Sequence, residues 1–191
     1  GSKMFVKVDT KVHVKDLLKG AIIQSGNDST IVLAEGIAGS EDKFTEYLNK
    51  IAKKIGMENS HFANASGWPD PEHYSTARDL ARLSYHIIKD FPEFYPYYAE
   101  KEFSYNNITQ RNRNPLLNLD IGVDGIKTGH TELAGYGLMV SAVNPKDGRR
   151  VIVVINGTDS KKARAEEAEK LVMWGVKGFK NKKLVDTQRD K

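Results

Sequence analysis

Two groups of residues in this chain are of the right types to do chemistry: Ser25, Gly26 and Asn27, and, about a hundred positions later, Lys127, Thr128 and Gly129. A serine hydroxyl beside a lysine ammonium can pass a proton between a nucleophile and a leaving amine, as acyl transfer through a serine requires. Lys127 and the Thr128 hydroxyl offer a cationic strand edge for an anionic group. The backbone N–H of His130, just past Gly129, can donate to a developing oxyanion. Each triplet alone is a weak signal, since the first fits a plain turn between helices and the second a strand terminus with a turn glycine. Order, spacing and local setting make the pair informative. The reading requires Ser25 and Lys127 to face each other across one cleft.

The elements around the triplets follow from periodicity. Residues 1–14 alternate loosely and read as an extended lead-in. Leu17, Leu18, Ala21 and Ile22 recur at helical spacing, so a helix over 15–24 delivers the chain to Ser25. A mostly apolar helix over 28–37 is expected to be buried. Ser40, followed by Glu41 and Asp42, signals an N-terminus for a helix ending at Gly56, with Phe44, Tyr47, Leu48, Ile51 and Ile55 on one face. The Asn-, Ser-, Gly- and Pro-rich stretch 61–71 predicts a loop. A helix starting at Ser75 or Thr76, with Asp79 placed for a capping box, is predicted to run toward Pro92. Phe103 and Tyr105 mark a short strand before an Asn106-Asn107 turn. Residues 124–127, 136–143 and 149–155 read as three strands, the last two joined by a hairpin at 145–148. A helix over 160–179 and a polar tail follow. Helices first, then an antiparallel sheet with a packed helix, is an α+β arrangement.

Composition narrows the function classes. With 191 residues, 39% hydrophobic and 28% charged, the chain can bury a core and is not of disordered type. No apolar stretch is long enough to span a bilayer. The net charge of +4 is concentrated in the lysines after residue 176 and reads as a solvated helix end, not a nucleic-acid surface. There is no cysteine for thiol chemistry, and the five histidines show no metal-ligand spacing, so neither metal nor cofactor is expected.

Longer strings carry a more specific resemblance. Residues 18–28 (Leu-Lys-Gly-Ala-Ile-Ile-Gln-Ser-Gly-Asn-Asp), 74–79, 112–114 and 123–131 (Val-Asp-Gly-Ile-Lys-Thr-Gly-His-Thr), with Gly135-Tyr136, resemble the low-molecular-mass penicillin-binding proteins. These are the serine D-Ala-D-Ala carboxypeptidases, of peptidase S11 type. The likeness runs from Gly1 to about Phe179 and implies a partial β-lactamase/transpeptidase-like domain over 1–179, with 180–191 as tail or linker.

It implies that Ser25 is the proton-shuttling serine and Asn27 the residue orienting substrate and catalytic lysine. Lys127, Thr128 and Gly129 match the strand motif that binds the substrate or β-lactam carboxylate, with the His130 N–H beside it. Arg164 matches an arginine that helps bind the terminal carboxylate; its alternative is an ordinary solvated helix arginine. The loop at Ser66-Gly67 falls where a loop approaches the site. The implied partners are peptidoglycan stem peptides ending in D-Ala-D-Ala and β-lactams. The implied setting is periplasmic or extracytoplasmic, membrane-associated in the full-length protein.

One departure stands out. The family's nucleophile motif, Ser-x-x-Lys, belongs several tens of residues before Ser25, and residues 1–5 resemble the end of the segment connecting it. The Ser40–Lys43 match is in the wrong order, and Ser40 is better read as a helix cap. The chain alone is therefore expected to be inactive, and to associate with an N-terminal fragment or a second copy, or else to fold poorly. Only a polar tail follows Phe179, where the family has a β-rich domain and an amphipathic anchor. The alternatives are a non-catalytic peptidoglycan-binding or regulatory relative, and a serine β-lactamase.

Overall fold

The computed structural model describes residues 1–182; of the expected tail, residues 183–191 lie outside them. Helices α1 (Val14–Ile23), α2 (Asn27–Ala38), α3 (Glu41–Lys54) and α4 (Ala77–Asp90) come first, then a hairpin of β1 (Glu102–Tyr105) and β2 (Ile108–Arg111). Strands β3 (Val123–Thr131), β4 (Gly135–Val143) and β5 (Arg150–Thr158) form an antiparallel sheet in the order β3-β4-β5, and α5 (Lys161–Lys177) packs on it. The α+β class is as expected from the sequence.

Local chemistry explains most boundaries. Ser40, Thr76 and Ser160 cap α3, α4 and α5, each accepting the N–H three residues on. Asn106 and Asn107 both take left-handed angles, φ 48° and 61°, which a two-residue hairpin turn demands and asparagine tolerates. Asp79 corrects the capping-box expectation. Its carboxylate does not reach back to residue 76 but accepts the Asn59 N–H and the Ser60 hydroxyl, both at 2.8 Å. Buried completely, it ties α4 to the loop after α3.

The core lies between sheet and α5, where Leu116, Leu138, Val140, Ala142, Ala168, Val172 and Val176 close on one another. The helical half is thinner. Only Ser29 and Ala34 of α2 are buried, so that helix is not the buried one its composition suggested. On α3, Tyr47 and Ile51 stay half exposed on the face expected to be covered, and Ala52 is its one buried residue.

β3 is longer than expected. Lys127-Thr128-Gly129 lies inside the strand, not at its end, because pairing with β4 continues to Thr131 opposite Gly135. The start of β3 is fixed by polar anchors at the irregularity between Val123 and Gly125. The Asp124 carboxylate accepts the Tyr95 hydroxyl and an Arg150 N–H, both at 2.8 Å. Burial foremost pushes the Tyr95 pKa up, so its hydroxyl keeps its proton. The buried Asn114 amide donates to the Gly125 carbonyl at 3.1 Å. These contacts set the position from which Lys127 projects.

Candidate active site

Ser25 sits where the chain reverses between α1 and α2. The preceding Gln24 is fully buried and donates through Nε2 to the Phe103 carbonyl at 3.0 Å, anchoring the end of α1 on β1. Ser25 itself has φ 55°, a left-handed conformation that costs a non-glycine residue about 1–2 kcal/mol. Its neighbours hold it there: the Gly26 N–H donates to the Gly20 carbonyl at 3.0 Å and the Asn27 N–H to the Ser2 carbonyl at 2.9 Å. Asp28 adds two more ties, accepting the Met4 and Val6 N–H groups at 2.8 and 3.0 Å. Strain of this kind concentrates at working sites, where surrounding structure over-determines it.

Across from it, the Lys127 ammonium donates to Ser25 Oγ, and also to the Thr128 carbonyl at 3.1 Å. Residues 102 positions apart in sequence thus meet on one hydrogen bond. Burial lowers the Lys127 pKa to about 8, and the neighbouring Arg113 and Arg164 cations push in the same direction. At neutral pH the group is still mostly charged, yet close enough to titration to exchange protons readily. Three cations converge here, which makes a strong field for an anion.

Arg164 lies in the first turn of α5. It is not a solvated helix arginine, being only 6% exposed, and its Nε has no hydrogen-bond partner among the described residues. Thr128 is half-buried and Gly129 exposed. Nothing lies within 4 Å of where a Cβ on Gly129 would stand, so the strand is open to a ligand there. His130 stacks on Tyr136 across the β3–β4 pair, with ring centroids 3.7 Å apart. Asn27 opens α2 two residues after Ser25. Its side chain makes no hydrogen bond among the described residues and abuts Gly1, where a Cβ would come within 2.5 Å of Nδ2.

The loop of Ser66-Gly67 is ordered by Asn64, whose side-chain oxygen accepts the Gly67 and Trp68 N–H groups at 2.8 and 3.0 Å. Sequence reasoning missed Arg113 and Tyr136 as contributors. Both fall within the quoted resembling strings, but no spacing rule marks either as close to Lys127. Arg113 also donates to the Ser2 hydroxyl at 2.5 Å, tying the lead-in to the site's rim. Among the described residues there is no His, Cys, Asp or Glu group suited to a metal ion, and no helix long and apolar enough to cross a membrane.

Known proteins share the architecture. Penicillin-binding protein 5 from Haemophilus influenzae is similar over 92% of this chain and 51% of its own, with TM-score 0.89 and 46% identity. Penicillin-binding protein 6B from Escherichia coli matches 93% of this chain and 56% of its own, at TM-score 0.87 and 47% identity. Penicillin-binding protein D2 from Listeria monocytogenes, solved in its cefotaxime-bound form, covers 92% of this chain and 71% of its own at TM-score 0.81 and 29% identity. The fold is thus that of the transpeptidase-like penicillin-binding proteins. More narrowly, the D-alanyl-D-alanine carboxypeptidase family model matches residues 1–160, and the chain belongs to that family. Among curated relatives, DacA of Haemophilus influenzae is 44% identical over 99% of this chain and DacD of Escherichia coli 47% over 93%. The chain spans 48% and 46% of those two relatives' lengths, about half.

Proposed function

We propose that these residues form the proton-relay and carboxylate-binding walls of a serine D-Ala-D-Ala carboxypeptidase. The observation that carries the reading is the Lys127–Ser25 hydrogen bond, with Arg164 buried and unsatisfied nearby. The substrate is a peptidoglycan stem peptide, whose terminal D-alanine carboxylate is held by Thr128, Arg164 and the charge of Lys127. A nucleophilic serine hydroxyl, on a Ser-x-x-Lys segment outside these residues, attacks the penultimate carbonyl. The oxyanion that forms accepts the His130 N–H. The attacking hydroxyl gives its proton to the lysine of its own motif. As the tetrahedral intermediate collapses, the Ser25 hydroxyl hands its proton to the leaving D-alanine amine and takes the nucleophile's proton in return from that motif lysine. Water then hydrolyses the acyl-enzyme. Asn27, at the head of α2, is assigned to orient the substrate amide. β-Lactams present the same carboxylate and carbonyl and are expected to acylate the same serine. The setting proposed is extracytoplasmic, with the full-length protein at the membrane.

The surface supports a completing partner for residues 1–179. Among the described residues no strand pairs with the outer edge of β5, and a groove of about 450 Å³ runs between Val151–Val154 of β5 and Leu171, Trp174 and Phe179. An unpaired apolar edge of this type favours strand addition. The segment bearing the nucleophile, or the same element from a second copy, fits that chemistry.

The test is labelling by fluorescent penicillin together with release of D-alanine from diacetyl-L-Lys-D-Ala-D-Ala. The 191 residues alone are expected to give neither, and both are expected once a Ser-x-x-Lys segment is supplied on the same or a separate chain. Stable labelling of the 191 residues alone, or a completed protein that takes neither ligand, overturns the reading.

A further inference from the structure

Arg164 is buried with its Nε unpartnered, beside a second cation whose pKa it helps depress. Two cations sharing a poorly solvated site need a compensating negative group. A carboxylate would serve, but it would occupy the guanidinium donors and cancel the field. What the structure supplies instead is the Tyr136 ring, whose centroid lies 5.6 Å from the Arg164 guanidinium carbon. The face of an aromatic ring attracts a cation without using any of its N–H groups. Burial leaves the Arg164 pKa below its ordinary value.

The ring is itself held in place. Tyr136 is cross-strand from His130 and stacked on it at 3.7 Å, with 28° between the planes. Its carbonyl accepts the Thr158 hydroxyl at 2.9 Å, which locks the start of β4 to β5 next to the first turn of α5. The tyrosine hydroxyl has no hydrogen bond to a carboxylate among the described residues, so the ring face is the part in use.

We propose that Tyr136 is a positioning residue: its ring, backed by His130, holds the Arg164 guanidinium beside Lys127 with its donors left free for the substrate carboxylate. The inference rests on the function proposed above and adds the group that makes its arginine usable. It also gives the His130 side chain a task separate from that of its backbone N–H.

The experiment is steady-state kinetics on diacetyl-L-Lys-D-Ala-D-Ala with the gene product in its full length. Tyr136→Leu is expected to raise KM about tenfold with kcat within about threefold, because ground-state carboxylate binding is what is lost. Tyr136→Phe keeps the ring and is expected to hold KM within about twofold of the parent. Arg164→Ala raises KM, and adding Tyr136→Leu to it changes nothing further. If Arg164→Ala raises KM but Tyr136→Leu does not, or if the two effects simply add, the positioning role is wrong while the carboxylate reading stands. If Arg164→Ala leaves KM unchanged, the carboxylate reading fails and takes this inference with it. Should Tyr136→Leu not fold, NMR of the unaltered and Tyr136→Phe proteins decides: both are expected to show the Arg164 side-chain protons shifted upfield by the ring, and ordinary shifts overturn the proposal.

Discussion

The two halves of the molecule are stabilised differently. The sheet half closes a continuous apolar core between β3–β5 and α5. The helical half, α1 to α3, buries few large side chains and leaves Ile37, Tyr47 and Ile51 more than half exposed. Its order comes largely from polar ties: Asp28 to the lead-in, Gln24 to β1, and Asp79 to the loop after α3. Ser25 belongs to the polar-tied half and Lys127 to the packed one. The site is therefore a seam, where a rigid strand presents a cation to a hydroxyl held by replaceable contacts.

The largest effect that sharpens this contrast is expected from Leu138→Ala. Leu138 is 1% exposed at the centre of the sheet core, and its truncation is expected to cost about 2–5 kcal/mol in urea unfolding. Ile51→Ala on α3, at 54% exposure, is expected to change stability by about 0.5 kcal/mol or less. Equal losses at the two positions would break the division into a packed and an unpacked half.

Next in size is Asp28→Ala. It removes the acceptor of both the Met4 and Val6 N–H groups and is expected to cost about 1–3 kcal/mol. Hydrogen exchange separates this from a general loss of stability. Residues 4–6 and 25–27 should lose protection while β4 keeps it.

That split also tracks what could be read from the sequence. Ser40 and Thr76 announce their helices because capping is a matter of three adjacent residues. The Asn106-Asn107 turn and the two motif triplets are equally local. Asp79, by contrast, looked like a cap and proved to be a tie to Asn59, because a carboxylate goes to whichever donors the tertiary structure brings. The true length of β3 depended on its register with β4, and the exposure of Tyr47 and Ile51 on what lies against α3. Only the family resemblance marks Arg164 as a carboxylate-binding arginine, with a solvated helix arginine as the alternative, since helical periodicity says nothing of the Tyr136 ring arriving from another strand. Sequence showed which residues can do the chemistry; the long-range contacts decide how each is held.

A smaller, pH-dependent effect follows from Lys127. Its folded-state pKa of about 8 lies below the ordinary lysine value of about 10.4. Between those values the unfolded chain binds more protons than the folded one, so stability contributed by this group rises with pH across that window. Below pH 8 both states are protonated and the contribution is flat. Lys127→Met is expected to abolish the rise, read as the difference between the two proteins' urea midpoints from pH 7.5 to 10. Because the same protonation supplies the charge that attracts a carboxylate, ligand affinity should fall over that range as stability climbs. A midpoint difference that stays constant across the window would mean that Lys127 is not desolvated, and that the seam is wetter than its burial indicates.

The smallest effect isolates the backbone of Ser25. Both Ser25→Ala and Ser25→Gly remove the hydroxyl that accepts from Lys127, so both lose the same hydrogen bond. They differ in the left-handed angle, φ 55°, which alanine resists and glycine adopts freely. Alanine carries a strain of about 1–2 kcal/mol there, against which glycine loses about 0.5–1 kcal/mol of extra chain entropy on folding. Ser25→Gly is therefore expected to be more stable than Ser25→Ala by about 0–1.5 kcal/mol, the difference of those two terms. If alanine proves the more stable of the two, the turn after α1 relaxes out of its left-handed geometry once the hydroxyl is gone. The Lys127 contact would then be what imposes the strain, and the packed half would be setting the shape of the polar-tied one.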